Sequence, residues 1–422
     1  MGATMTVQSI VDDAGAVFSA PGDPTVTAAL GAFLRRLDSA PRLLGFGEPM
    51  HGEESFLQLR NQMFRFLVEH EGYRSIALES SCLKGILVDS FVRGADRLPL
   101  DDVMEHGFSH GFGESPANRD LILWMAEYNR RREPDEQLRF FGFDGPIEMT
   151  SADSPRQALT FLDTYLRTHL DDQDLPCTPD RISALIGDDD RWSNPAVAMD
   201  PTQAVGATPG AVELRLIADD LMTLLASQAP RLVAEGTRDE LWEAELHGRV
   251  AARLLSYHAG MAENSPRRIA RLLGIRDTLM ADNLSALVQR EADRGPTFVF
   301  AHNGHLLKGE THWDLAGLHL HWWCAGAHLG VRLGDAYAVI GGAVGQAPGH
   351  SIGQPPPDTV EGRLFAVGES CLVPAAPVAR RTGDVEKRAD PSDNSTYFPL
   401  EPAGLGELDA ILFLRHIDAA GT

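Results

Sequence analysis

Residues 43–52 read Leu43-Leu44-Gly45-Phe46-Gly47-Glu48-Pro49-Met50-His51-Gly52. The apolar start of this stretch predicts a short buried strand that ends at a Gly-Glu-x-x-His-Gly turn. A helical pattern follows over residues 53–70. The ends of strands are where α/β folds keep their functional side chains. The turn therefore predicts that a carboxylate, Glu48, and an imidazole, His51, share such an end, and histidine is the side chain whose pKa lies nearest neutrality.

The same alternation of strand and helix continues along the chain. Short apolar segments, most of which end at Gly, Asp, Glu, Asn or His, predict further strands. The predicted strands are residues 42–46, 75–78, 138–143, 297–301, 336–340 and 411–414. Apolar residues at helical spacing separate the early strands. This pattern predicts an α/β fold with a mostly parallel central sheet flanked by helices.

The middle of the chain has a different pattern. Residues 155–292 are mostly helical in spacing, with polar loops between the helices. We interpret this segment as a helical insertion between two strands of a single esterase-like domain that comprises residues 1–422. Because the flanking strands end near Asp144 and His302, we expect the insertion to form one wall of a cleft at those strand ends.

Composition excludes some partners and leaves others open. The net charge of −23 argues against nucleic acid or an anionic membrane as a partner. No apolar run reaches the roughly 20 residues that a membrane helix needs, and residues 1–20 lack the pattern of a secretory signal. Four scattered cysteines fit a reducing compartment. We therefore expect a cytoplasmic protein with a small-molecule substrate, whose oligomeric state the sequence does not determine.

Polar residues gather at the ends of several predicted strands. Each has an ordinary structural explanation, since a histidine after a strand is often only hydrogen-bonded, and an arginine on the next helix could simply pair with a nearby glutamate. Three imidazoles, two carboxylates and a guanidinium are nevertheless costly to bury together without a use. The carboxyl ends of parallel strands share one edge of the sheet, so these residues can converge. The predicted site consists of Glu48, His51, Arg60, Glu79, His302 and His305.

Two other sequence motifs were considered, and neither fits the residues around it. Residues 107–111 match the Gly-x-Ser-x-Gly pattern of a nucleophile elbow, but an elbow must follow a buried strand and residues 101–106 do not have a strand pattern. The pair Gly45 and Gly47 lacks the third glycine of the dinucleotide-binding fingerprint, because Met50 stands in its place.

A metal site is the third alternative. Histidine and glutamate side chains are adequate ligands for zinc or manganese, and the candidates would be Glu48, His51, His302 and His305. However, the chain contains no His-Glu-x-x-His pattern. We therefore predict no metal and no other cofactor.

Several stretches, taken together and in this order, resemble the erythromycin esterase family. They are residues 47–52, 59–64, 73–79, 142–144, 276–277, 280–283 and 301–305. The resemblance implies an α/β core with helical additions and a deep cleft. It also implies that a macrocyclic ester is hydrolysed by water activated on the motif histidine, with neither a serine nucleophile nor a required metal.

Carried over by position, the resemblance makes His51 the base. The remaining polar residues of the family's cleft correspond to Glu48, Arg60, Glu79, His302 and His305. The chain departs from the family in two places. Pro49-Met50 replaces a small Ala-Thr type pair in the turn, and an additional Gly-rich segment spans residues 106–115.

The leading hypothesis is thus a hydrolase that cleaves an ester or lactone of a small, macrolide-like natural product, in antibiotic resistance or secondary metabolism. A histidine near its operating pKa can take a proton from attacking water, which typically contributes about 10²–10⁴-fold to the rate. Either Arg60 or a second histidine could stabilise the oxyanion. Two alternatives keep the cleft: a cyclase, lyase or transferase of secondary metabolism, and a protein that binds haem or another metabolite.

Overall fold

The computed structural model describes residues 7–95, 98–315, 317–382, 384–389 and 392–417. The strands are β1 (Ala16–Phe18), β2 (Leu43–Glu48), β3 (Ser75–Ser81), β4 (Arg139–Asp144), β5 (Thr297–His302), β6 (Glu310–Leu315), β7 (Leu318–Trp323), β8 (Tyr337–Gln346), β9 (Ser370–Pro374) and β10 (Ala410–His416). The α-helices are α1 (Val7–Ala14), α2 (Thr25–Leu34), α3 (Glu54–His70), α4 (Gly85–Val92), α5 (Leu100–His106), α6 (Pro116–Asn129), α7 (Arg156–His169), α8 (Pro179–Ile186), α9 (Pro209–Glu235), α10 (Arg238–Met261), α11 (Arg268–Arg290), α12 (Asn303–Leu306), α13 (Ala325–Leu333), α14 (Val360–Phe365) and α15 (Ala375–Ala379).

The described strands form an eight-stranded sheet and a separate hairpin. The order in the sheet is β1-β9-β10-β8-β2-β5-β3-β4, and β6 pairs with β7. All neighbours from β10 to β4 are parallel, whereas β9 is antiparallel to both β10 and β1. The predicted α/β class, with a mostly parallel central sheet flanked by helices, is confirmed.

Each face of the sheet carries its own apolar core. Phe298 and Phe300 of β5 pack with Phe46 of β2 against residues of α3 and α6. The alternate residues of β5, Val299 and Ala301, point to the other face and pack with residues of α11 and α13. Successive side chains of a strand point to opposite faces, so a strand that is buried on both faces is apolar at every position.

The chain between β4 and β5 is helical, from α7 to α11. Leu159 of α7, Leu221 of α9 and Leu254 of α10 belong to a third apolar core. Helix α11 contacts α10 on one side and β4, β7 and α13 on the other, so it joins these helices to the sheet. None of the described helices is both long and apolar enough to cross a lipid bilayer.

The turn after β2 requires glycine at two positions. A Cβ atom on Gly47 would lie only 2.2 Å from Oδ1 of Asn303, the residue that follows β5. The Asn303 amide also bonds the backbone of Gly342 in β8, donating to its carbonyl at 2.8 Å and accepting from its N–H at 3.0 Å. Gly52 has a φ of 79°, in the left-handed region that glycine favours. The Gly-Glu-x-x-His-Gly pattern thus lets the ends of β2, β5 and β8 approach closely.

Candidate active site

The carboxyl ends of the central strands meet at one edge of the sheet. Glu48 is the last residue of β2 and lies in register with His302, the last residue of β5. Asp144 ends β4 in register with Ser81 of β3. Strand order alone therefore brings together polar residues that are far apart in the sequence.

Glu79 is the centre of the cluster. The register of β3 against β4 shifts across this residue, and bulges of this kind re-aim side chains beside active sites. Its Oε2 accepts the backbone N–H of His302 at 2.8 Å. Its Oε1 lies 3.2 Å from Nε2 of His305 and 3.2 Å from the guanidinium of Arg276. Burial raises the pKa of Glu79, but His305, His51 and Arg276 together bring that pKa well below its ordinary value, so this carboxylate is ionised.

His51 is held by the carboxylate that precedes it in the turn. Its Nδ1–H donates to Oε1 of Glu48 at 2.7 Å, and its backbone N–H donates to Oγ1 of Thr396 at 2.9 Å. Its Nε2 lies 3.8 Å from Oε1 of Glu79, which is too far for a hydrogen bond. With the proton on Nδ1, the lone pair of Nε2 is available to accept a proton.

Burial and charge act in opposite directions on the pKa of this pair. Burial disfavours the cationic form of His51, but the negative charges of Glu79 and Glu48 raise its pKa above the ordinary value. Burial is also the leading influence on Glu48, and it raises the pKa of this carboxyl against the lowering effect of His51. Oε2 of Glu48 is buried and has no hydrogen-bond partner in the part of the chain that the structure describes.

His305 is clamped between two carboxylates. Its Nδ1 lies 2.8 Å from Oδ1 of Asp277 and its Nε2 lies 3.2 Å from Glu79. Burial lowers its pKa, but Asp277 and Glu79 outweigh that effect and raise the pKa to about 10. At neutral pH His305 is therefore an imidazolium whose two N–H groups are both bonded, and it has no lone pair with which to act as a base.

His302, unlike His305, carries a neutral ring. Its Nδ1 accepts the backbone N–H of Gly304 at 3.0 Å, and its Nε2–H donates to the carbonyl of Thr396 at 2.9 Å. Burial lowers its pKa to about 3, so the ring is neutral. Both nitrogens are bonded to backbone groups, and His302 therefore shapes the start of α12 and the base of the site.

Arg60 lies in the site, and it forms no ion pair with any residue that the structure describes. Its guanidinium donates to Oδ1 of Asn61 at 2.7 Å and to Oδ1 of Asn118 at 2.7 Å, and it lies 5.0 Å from the centre of the Phe300 ring. Burial lowers its pKa to about 10, so it remains protonated at neutral pH. The pairing with a glutamate that offered a structural explanation for Arg60 is not among the ion pairs of the described residues.

Four further residues complete the cluster, and none of them was among the residues predicted for the site. Arg276 of α11 bonds both carboxylate oxygens of Asp144, with Nη2 at 2.6 Å from Oδ2. His110 bridges Asp144, at 3.0 Å from Nε2, and Glu148, at 2.7 Å from Nδ1. Burial opposes the charge on His110, but these carboxylates raise its pKa to about 9. Arg276 and Asp144 do lie within stretches that carried the family resemblance, which is the signal that could have identified them.

The serine of the rejected elbow motif, Ser109, bonds the backbone of a strand and not an imidazole. Ser109 is buried, and its Oγ accepts the backbone N–H of Ser81 at 2.9 Å and lies 3.3 Å from Oγ of Ser80. None of the hydrogen bonds of the described residues joins Ser109 to an imidazole. This hydroxyl therefore lacks the neighbouring base that activates a nucleophilic serine.

Two cavities meet at His51. One, of about 460 Å³, has an aromatic lining that includes Tyr257, Trp313 and Phe398. The other, of about 440 Å³, is lined by Glu48, Glu54, Arg60 and Asn118 among others. The residues that line both are His51, Glu79, His110, Phe112 and Thr396. A larger groove of about 1200 Å³ lies between α4, α7 and α10 and contains none of these five residues.

The cluster is built from paired charges. Within the described residues, no three His, Cys, Asp or Glu side chains are arranged to hold one metal ion. The imidazoles of His110, His302 and His305 are bonded at both nitrogens. His51 is thus the imidazole of the cluster whose Nε2 faces the cavities with no hydrogen-bond partner in the described ranges.

The chain is similar in sequence to known proteins. The sequence profile of the erythromycin esterase family matches residues 68–417. An erythromycin esterase type II from Escherichia coli is 24% identical over 322 residues, which cover 73% of this chain and 70% of the relative.

Solved structures share the fold at low sequence identity. A Bacillus cereus protein superposes with a TM-score of 0.70 and 17% identity, over 97% of this chain and 96% of its own. A succinoglycan biosynthesis protein gives a TM-score of 0.68 and 15% identity over 98% and 97% of the two chains. A mutant of the erythromycin esterase EreC in its open conformation gives a TM-score of 0.62 and 19% identity over 95% and 97%.

Proposed function

Because the chain belongs to the erythromycin esterase family, we propose that it is a carboxylic-ester hydrolase that opens an ester or lactone of a small, macrolide-like natural product with water activated by His51. Family membership and the related type II esterase support ester hydrolysis. The observation that carries the choice of base is the orientation of His51, with Nδ1 bonded to Glu48 and Nε2 unbonded at the junction of two cavities.

His51 is the proposed general base. Nε2 takes a proton from water as the oxygen attacks the ester carbon, and the imidazolium that forms donates through Nδ1 to Glu48. Glu79, at 3.8 Å from Nε2, provides a second negative charge that stabilises this cation. The same imidazolium can then return its proton to the leaving alkoxide.

Arg60 is the proposed partner of the oxyanion. The positive charge of Arg276 is neutralised by Asp144 and Glu79, whereas Arg60 donates to the neutral amides of Asn61 and Asn118. A buried cation without a carboxylate partner can interact strongly with negative charge that develops in the same cavity. Arg60 and His51 line that cavity together.

The two cavities suggest how the substrate lies. The ester would be placed at His51, with an apolar part against the aromatic lining and the other part in the cavity that Glu48 and Arg60 line. Tyr257 of α10 and Leu272 and Arg276 of α11 line the aromatic cavity. These contacts support the proposal that the helical insertion, residues 155–292, forms one wall of the cleft.

The test is a mass-spectrometric screen of macrolide lactones and simple aryl esters with purified protein in water enriched in heavy oxygen. The expected product has gained one water, with a single heavy oxygen in its carboxylate. Turnover that rearranges or couples a substrate without adding water would replace hydrolysis by a cyclase, lyase or transferase reaction. The His51→Asn variant, assayed beside the wild type, must lack the activity.

A further inference from the structure

The hairpin β6–β7 presents three imidazoles on its outer face. His312 lies directly opposite His321 in the register of the hairpin, and His319 lies opposite Asp314 two residues further along. All four side chains are exposed, whereas Thr311, Leu320 and Trp322 point to the buried face. Residues that lie directly opposite each other in an antiparallel pair have Cβ atoms about 4.5–5.5 Å apart.

The two facing rings have a separation that suits a shared metal ion. The ring centres of His312 and His321 are 6.2 Å apart, with an angle of 29° between the planes. A metal bound at a metal–nitrogen distance of about 2.1 Å lies about 3.2 Å from a ring centre, so the centres of two rings that coordinate one tetrahedral ion lie about 5.2 Å apart. The observed separation exceeds this value by about 1 Å, which side-chain rotation can close. Both side chains must rotate to direct their Nε2 atoms at one point, and exposed side chains change rotamer within nanoseconds.

Carboxylates already orient two of these imidazoles. Nδ1 of His321 lies 3.3 Å from Oε1 of Glu310, and Nδ1 of His319 lies against Oδ1 of Asp314 at 2.5 Å. A carboxylate that accepts the Nδ1–H of a histidine selects the tautomer with a free Nε2 and makes that nitrogen a better metal ligand. Among the hydrogen bonds of the described residues, none engages Nε2 of His319 or of His321.

We propose that the outer face of the β6–β7 hairpin binds one divalent transition-metal ion through Nε2 of His312 and Nε2 of His321, with water as the remaining ligands. Imidazole ligands favour Zn²⁺, Ni²⁺ and Cu²⁺ over Mg²⁺ and Ca²⁺. This site is separate from the His51 cluster. Trp313, between two outward-facing residues of β6, lines the aromatic cavity, so an ion on the outer face would bind a hairpin that contributes to the wall of that cavity.

The test is isothermal titration calorimetry, in which Zn²⁺ is added to the full-length, tag-free protein. We expect one site in the wild type. His312→Gln and His321→Gln should each weaken binding by about 10²-fold, because each leaves a single imidazole where two had acted together. His70→Gln, which changes an exposed histidine at the end of α3, and His51→Asn should leave the affinity unchanged. With Cu²⁺ in place of Zn²⁺, electron paramagnetic resonance should show two nitrogen ligands in the wild type and one in either hairpin variant.

The proposal is overturned if the wild type binds no Zn²⁺ in the micromolar to millimolar range, or if both hairpin variants bind as the wild type does. Loss of binding in His51→Asn would instead assign the ion to the catalytic cluster. Since the hairpin histidines are exposed, their variants should fold normally, and circular dichroism checks this. The result does not depend on whether the protein hydrolyses an ester.

Discussion

Replacement of His51 by asparagine should abolish turnover and leave the fold intact. Asparagine retains an amide donor that can reach Oε1 of Glu48, the acceptor that now lies 2.7 Å from Nδ1. It has no group that takes up a proton near neutral pH. The substitution therefore removes the base while the buried carboxylate of Glu48 keeps a donor.

The expected magnitudes follow from these contacts. Loss of a general base lowers kcat by about 10²–10⁴-fold, which corresponds to about 3–5 kcal/mol of activation free energy. The His51 side chain is 27% exposed and projects into cavities instead of filling the core. We therefore expect the free energy of unfolding to change by less than about 1 kcal/mol.

Two quantities are measured for three variants: kcat on the best substrate of the screen, and the free energy of unfolding in urea. His70→Asn changes an exposed histidine at the end of α3 and should alter neither quantity. His302→Asn breaks ring contacts with the backbone of Gly304 and Thr396, and should cost about 1–3 kcal/mol of stability. Full activity in His51→Asn would refute the reasoning, and so would a loss of activity that only accompanies unfolding.

Three other predictions address the rest of the cluster. Ser109→Ala should keep kcat within tenfold of the wild-type value. It should lose about 1–3 kcal/mol of stability in urea unfolding, because the backbone N–H of Ser81 loses its acceptor. Labelling of Ser109 by a fluorophosphonate would contradict the water-based mechanism. The pKa of His51 is raised and the base must be neutral, so kcat/KM should fall as pH drops through a value above 6.5. Glu48→Gln should move that fall to lower pH, and an unmoved pH profile would exclude Glu48 as the partner of His51. His305 has a pKa of about 10 in the folded protein against an ordinary value of 6.5. Its contribution to the free energy of unfolding should therefore be complete below pH 6.5 and be lost as pH rises towards 10. In His305→Gln this decrease of stability with pH should be absent.

The sequence determined the parallel part of the sheet. The strands predicted at residues 42–46, 75–78, 138–143, 297–301, 336–340 and 411–414 correspond to β2, β3, β4, β5, β8 and β10. Strands buried on both faces are apolar at nearly every position, so composition alone reveals them. Two strands outside this block lack such a run: β1 has only three residues, and β6 carries His312 and Asp314 on an exposed face. Strand β9 is buried at four of its five positions, and the sequence did not predict it.

The sequence also indicated which residue types would gather at the strand ends, because the turn after β2 and the histidines after β5 follow apolar runs. It did not show what each residue does there. His302 and His305 are three residues apart in the chain, yet burial among backbone groups lowers the pKa of one to about 3 and two carboxylates raise that of the other to about 10. Arg60 and Arg276 differ in the same way, since one bonds amides and the other bonds carboxylates.

Only the tertiary structure decided these differences. A local sequence pattern reports the spacing of side chains along one strand or helix, whereas protonation and pairing depend on groups that other segments bring within about 4 Å. Arg276 and Asp144 are separated by 132 positions in the sequence, and they meet because α11 packs against β4. The residue types at the strand ends are thus a property of the chain. Which residues join the site, and their division into base, neutral structural ring and fixed cation, are properties of the fold.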